Sequence, residues 1–409
     1  MSNPLKEEHS EKADIIEMKK KLDARTGSET KFSPSENQVI TLRHALNILN
    51  HLDVLEVLSL NKYKVNSTIK RAKELEKALI HDFILGKLTI KLYEDLREKA
   101  FNPELNVSDG FFVSFDEYEL NVNEALFSKY IREWNESLSE ENSFDSSIEL
   151  LHFRNNIGKV LVTRNSEKFA YDKRSMFSTK FVDESKVLVE IDFNANIVYF
   201  QTSNTTKYRT IKTVVKLFLS NLFDEEKFRL LPPKMSQKLN FNFSEENNAA
   251  TVHNNISPNT IKLLDLLLEL EDSKSNFNEL VCVDISFDHE DSKKENLKSK
   301  IDRQGFGGED LLSKGDIKQH ITNNRGILQI VFKLTYTEEL PENKIRKHVM
   351  LAGIDNDTSN HIRIYIQNSN LDLKRVVNKA YVDLKDIFIK NTSSSSLRNE
   401  EKIKLLLGL

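Results

Sequence analysis

Apolar residues in the first hundred positions recur at three- and four-residue intervals. Val39, Leu42, Leu46, Leu49, Val54 and Leu58 form one such stripe, begun by Ser35 and Gln38 at capping-box spacing, and predict a long helix broken near His51. Asn66 stands where it can cap a second helix carrying Ile69, Ala72, Leu75, Leu79 and Phe83 on one face, with Gly86 placed to end it. Positions 88–100 predict a third helix. Before this, residues 1–33 are rich in charge and lack an apolar stripe, which predicts a flexible arm.

From Phe111 onward the period shortens. Apolar runs at 111–115, 159–162, 187–193 and 197–201 predict strands, the last two joined through Asn194, Ala195 and Asn196, residues that tolerate the left-handed backbone of a tight hairpin. A helix is predicted from about Tyr208 to Phe223, and Pro232 with Pro233 stops regular structure. Ser257 and Pro258 then open a helix that is apolar on nearly every side, 261–270. Beyond it the pattern predicts a strand at 280–287, one or two helices over 292–323, strands at 327–336, 344–354 and 362–367, and a helix at 371–389. No internal repeat is visible.

These elements predict an α+β protein: a helical N-terminal domain followed by mixed α/β domains with largely antiparallel sheets. The expected organisation is an arm over 1–33, a helical domain over 34–103, an α+β middle domain over 104–243, a linker over 244–256, an α+β C-terminal domain over 257–390 and a tail over 391–409. In the tail, Ser393 to Ser396 read as a tether for an apolar peptide ending in Leu405, Leu406 and Leu407.

Composition narrows the function classes. The chain has 409 residues, 39 % of them apolar, enough for more than one core. Its 59 basic and 63 acidic side chains leave a formal charge of −4, which argues against coating nucleic acid or acidic lipid with the whole surface. The single cysteine, Cys282, excludes an intrachain disulfide and a cysteine-based zinc site, and points to a cytoplasmic location. No run reaches the roughly 20 apolar residues of a membrane span. No cofactor is implied: glycine is too scarce for a phosphate-cradling motif, and no zinc-protease or nucleophile-elbow motif is present.

Five of the eleven glycines fall between Gly305 and Gly326. The run Gly305 to Gly308 reads as a loop leading into a helix, but Glu309 and Asp310 would occupy that helix's first turn and repel phosphate, so a structural or partner-binding loop with Phe306 as its anchor is expected. Glu190 and Asp192 share a strand face at i, i+2 and are the candidate catalytic pair, as in a magnesium nuclease. Asp284 and Asp288 are candidate metal ligands, although an extended strand holds them about 13 Å apart. Cys282 reads as a buried, inert thiol.

Basic clusters give the clearest sign of a partner. Lys70, Arg71 and Lys73 near the second helix, and Lys207, Arg209 and Lys212 near the helix at 208–223, are the candidate phosphate-binding residues for DNA or RNA. The sequence therefore reads as a non-catalytic intracellular binding protein, a nucleic-acid-associated or regulatory subunit. The alternatives are a metal-dependent nuclease or effector of a bacterial defence system, and an assembly scaffold whose C-terminal tail meets a protein partner or a second copy.

Overall fold

The computed structural model describes residues 34–64, 71–102, 107–118, 122–141, 146–171, 178–225, 227–233, 256–272, 275–288, 303–308, 310–322, 325–340, 344–356, 361–367, 371–394 and 396–407. The arm, Asn66, Ile69, Lys70, Glu309 and nearly all of the expected linker lie outside these residues. The chain divides into two compact units, Met1–Asn102 with Glu167–Asp183, and Pro103–Ser166 with Glu184–Leu409.

The first unit contains α1 (Glu36–Ile48), α2 (His51–Leu60), α3 (Ala72–Ile84) and α4 (Ile90–Phe101). The break near His51 has a local cause: Asn50 is extended and accepts a hydrogen bond from the Asp53 amide, which starts a new helix. Ser35 and Gln38 form both bonds of the capping box on α1, and Thr89 caps α4. Leu42, Leu58, Leu79, Phe83 and Leu96 make the shared core, with Phe83 stacked on Tyr93 at 5.0 Å. Gly86 has φ 66°, the left-handed turn that ends α3.

The second unit is built on one sheet. Its strands are β1 (Asp109–Ser114), β2 (Ser146–Arg154), β3 (Ile157–Tyr171), β4 (Ser178–Asp192), β5 (Ile197–Gln201), β6 (Phe277–Asp288), β7 (Arg303–Gly307), β8 (Ile327–Leu340), β9 (Lys344–Asp355) and β10 (Ile362–Gln367). They lie in the order β2-β3-β4-β5-β1-β10-β9-β8-β6-β7, in an antiparallel ten-stranded sheet. The helices are α5 (Glu124–Glu141), α6 (Thr205–Leu222), α7 (Pro258–Leu270), α8 (Gly315–Thr322), α9 (Lys374–Ser393) and α10 (Glu400–Leu407). Strands on both sides of the stretch read as a linker thus belong to the same sheet.

The element order reveals a repeat that residue identities conceal. Helix α5, strands β2 to β5 and helix α6 form one helix–four strands–helix series, and α7, β6, β8, β9, β10 and α9 form another, with β7 and α8 inserted. The first series runs inward from the edge strand β2 and the second from β6, which the inserted β7 separates from the other edge, and β1 fills the seam by pairing with β5 and β10. The helices of the two series cover opposite faces. Phe111 and Val113 of β1, with Val198 and Phe200 of β5, join the cluster built by α5 and α6, whereas Phe112, Ile197 and Tyr199 point the other way into the cluster of α7, α9 and α10. Among the described residues, β1 and β5 contribute to both clusters. There Gly110 has no room for a side chain: a Cβ would stand 2.4 Å from Tyr199 and 2.5 Å from Tyr381.

Two expectations change here. The Gly305–Gly308 run is an edge strand rather than a loop, with Gly307 paired to Asp284, and Asp310 takes a left-handed backbone before a short 3-10 turn instead of entering an α-helix. The tail is also no tether. Ile403 and Leu407 are buried in the core of the second series, and α10 docks on α7.

That docking depends on polar groups inside α7. The buried Lys262 ammonium donates to the carbonyls of Asn391 (2.9 Å), Ser394 (2.8 Å) and Ser396 (3.3 Å), which closes the C-terminal end of α9. One turn on, the Asp265 carboxylate accepts from the Asn399 amide at 2.8 Å and the Arg398 amide at 3.1 Å, at the start of α10. Arg398 pairs with Glu269 on the next turn.

Candidate functional site

Alternation along the paired strands β8 and β9 separates a covered face from an open one. On β8, Ile330, Phe332, Leu334 and Tyr336 enter the core, leaving Gln329, Val331, Lys333 and Thr335 on the opposite side. On β9, Met350, Ala352 and Ile354 enter it, leaving Ile345, Lys347, Val349, Leu351 and Gly353. Ile345 is 67 % exposed, Val349 60 % and Leu351 37 %, and none of the three belongs to a hydrophobic cluster. The register sets Lys333 and Gln367 on either side of Leu351, and Thr335 beside Val349. This face is an aliphatic strip with polar flanks.

The borders of the strip are fixed by local devices. A bulge in β6 turns Glu279 to φ 53°, where it accepts from the Thr335 hydroxyl at 2.9 Å and pairs with Lys347 at 3.6 Å. On the other side Tyr365 of β10 lies over its cross-strand partner Gly353, where a Cβ would come within 2.3 Å of the ring. Arg363 stands next to it, bidentate to Asp109 of β1 and 5.4 Å from the Tyr365 ring centre. The Asp109 carboxylate raises the pKa of the Arg363 guanidinium above its ordinary value, against the opposing effect of burial. Continuing past β10, His361 meets Phe111 at 5.1 Å and Tyr208 of α6 at 4.8 Å.

The residues singled out from the sequence are dispersed. Glu190 is engaged at both carboxylate oxygens, by Lys159 of β3 at 3.1 Å and Lys385 of α9 at 2.9 Å. Burial raises its pKa, but the two ammonium groups prevail and hold it below the ordinary carboxylate value. Asp192 accepts from the backbone amides of Asn194 and Ala195 and shapes the hairpin. The pair is therefore a counter-ion and a turn cap. Asp284 is exposed on β6, and among the described residues no group of three His, Cys, Asp or Glu side chains is placed to hold a metal ion. The side chain of Asp288 lies outside the description. Cys282 is buried and its thiol is pushed up to about 12 by that burial.

The basic patches also change. Lys207 is 4 % exposed, so it is part of the packing of α6 and not of a solvated track. Lys212 sits 5.6 Å from the Tyr208 ring centre, and burial, then the neighbouring Lys216, lowers its pKa. Arg209 is exposed on the same helix; Arg71 and Lys73 are exposed on the first unit. Phe306 packs against Phe287 and His320 at 6.1 and 5.1 Å and is no free anchor. Of the tail residues, Leu407 is buried, Leu406 packs against the core and Leu405 faces solvent.

The aliphatic strip escaped the sequence reading although a signal was present. The run from Ile345 to Ile354 is apolar at both odd and even positions, a pattern that in a strand means either two covered faces or one sticky one.

Comparisons with known proteins leave this geometry to stand by itself. No protein-family model matches the chain, and no curated protein matches it. Among solved structures, one described as "Ntf2 like protein involved in plasmid conjugation" shares 11 % identity, over 63 % of this chain and 93 % of that one, with a TM-score of 0.10.

Proposed function

We propose that the protein is a binding module that docks another protein on the open face of β8, β9 and β10. The observation that carries this reading is the exposure of Ile345, Val349 and Leu351 in one row of a face that the clusters do not cover. Apolar side chains on a rigid sheet, with Lys347 between Ile345 and Val349 in the row and Lys333, Glu279 and Gln367 beside it, have the make-up of a mixed interface with an aliphatic core. The engagement of Glu190 by two lysines supports binding over metal-assisted cleavage.

A photo-crosslinking amino acid placed at Ile345, Val349 and Leu351 in turn tests the proposal in the source cell. All three positions are expected to trap the same protein, and Leu60, more exposed than any of them but on the helical unit, is not. Val349→Lys with Leu351→Lys should abolish the complex and leave the circular dichroism spectrum unchanged. Unrelated products at the three sites, or none, would overturn it.

Nucleic acid is the second reading, favoured by the exposure of Arg71, Lys73 and Arg209. Its mark is binding of labelled DNA or RNA that weakens steeply with salt, and that weakens further in Arg71→Ala with Lys73→Ala or in Arg209→Ala. Salt-independent retention of the nucleic acid would contradict it.

A further inference from the structure

The two edges of the sheet are treated differently. At the β2 edge the Asn135 side chain on α5 donates to the Ile148 carbonyl at 2.8 Å and accepts from the Ile148 amide at 3.0 Å, standing where a next strand would pair, and a bulge between Leu150 and His152 interrupts the strand beyond. The β7 edge, among the described residues, pairs with β6 alone, and Gly305, Gly307 and Gly308 are exposed there. We propose that this edge is an interface with a second copy of the chain, β7 pairing antiparallel with β7 about a two-fold axis at Gly305.

The ladder fixes which backbone groups face outward. Gly308 donates to the Val283 carbonyl at 3.0 Å, so the bonds to β6 fall on Gln304, Phe306 and Gly308. The amides and carbonyls of Arg303, Gly305 and Gly307 alternate with these and point away from β6. That set is its own complement. An antiparallel pairing centred on Gly305 sets Gly305 against Gly305, and Arg303 of each copy against Gly307 of the other, each pair exchanging both backbone bonds.

The same symmetry accounts for the glycines and for charge. Neither Gly305 nor Gly307 has a positive φ, and a Cβ on either would meet nothing within 4 Å, so nothing inside the chain requires glycine at these positions. Glycines of this kind mark strands that another backbone approaches closely. Across the two-fold, the row through Arg303 continues to the second copy's Gly307, which has no side chain, and then to that copy's Asp284, which is exposed. The alternating spacings of an antiparallel ladder put these arginine and aspartate positions about 10 Å apart, a span that two such residues bridge over a glycine. On its own copy Arg303 is registered with Asp288, so its position lies between two acids. A contact of five residues per copy is small, and the dimer is therefore expected to be reversible and concentration-dependent.

Sedimentation equilibrium of the full chain over a wide concentration range tests this. A monomer–dimer equilibrium is expected. Gly305→Pro should weaken it by about tenfold or more while leaving the monomer folded, because the lost N–H points away from β6 and proline is tolerated on an outward edge. Asp284→Lys should weaken it about twofold to fivefold, and more at low salt. Val349→Lys with Leu351→Lys should leave it intact, which separates this contact from the open face of β9. In the unaltered protein, deuterium exchange at the Gly305 and Gly307 amides should slow as the dimer forms, whereas the Phe306 amide is protected throughout. A chain that is monomeric at every concentration would overturn the proposal, as would a dimer that forms without slowing exchange at Gly305 and Gly307 or one that Val349→Lys with Leu351→Lys dissolves.

Discussion

Glu190 shows what a single carboxylate does when two ammonium groups close over it. Its side chain is about one-fifth exposed, and Lys159 and Lys385 hold it ionised below the ordinary range. A carboxyl whose folded pKa is depressed adds stability above its unfolded value, near 4.3, and loses it as pH falls through the folded value. The urea midpoint should therefore drop as pH is lowered from about 6 towards 3. Glu190→Gln should cost about 1–3 kcal/mol at the upper pH, because it takes the shared carboxylate from two largely buried cations, and the two proteins should converge at the lower one. Parallel curves would show that the pair contributes nothing. The sequence displayed Glu190 beside Asp192, but not its partners, which stand 31 and 195 positions away. Local spacing marked the acids; only the sheet and α9 decide whether they meet a metal or a lysine.

At the scale of elements, α7 does two jobs that its composition disguises. Its apolar residues made it legible as a buried helix, yet Lys262 and Asp265 are the groups through which it fastens the end of α9 and the start of α10. Buried charges are tolerated only when such partners surround them. Ile403→Ala should lower stability by about 2–5 kcal/mol, as a fully buried aliphatic truncation does. Lys262→Met keeps the volume of the stem but leaves three carbonyls without their donor, so a loss of similar size is expected. In both variants the amides of 398–407 should exchange faster with deuterium. Unaltered exchange would mean that α10 is held by something else. The serines misled because small polar residues suit a tether and the end of a helix equally well: Ser393 is the last residue of α9, and the Ser394 and Ser396 carbonyls accept from Lys262.

For the whole molecule, the seam at β1 decides cooperativity. Because β1 pairs with both β5 and β10, and Phe112 and Tyr199 belong to the core of the other series, neither series can close its core alone. Fragments 34–233 and 256–409 made in one cell should co-purify and melt together, whereas each made singly should aggregate; two soluble, independently melting fragments would contradict this. The fold class was readable from periodicity, since a period of 3.6 giving way to a period of 2 needs no long-range knowledge. The single sheet was not, because the Asp109–Arg363 contact spans 254 positions. That separation also imposes a wait during synthesis. A ribosome adding about 5–20 residues per second needs roughly 12–50 s to pass from β1 to β10. Throughout, the edge of β1 that pairs with β10 and the side that carries Phe112 wait for partners made later. The nascent chain is thus expected to lean on a chaperone from the moment β1 emerges.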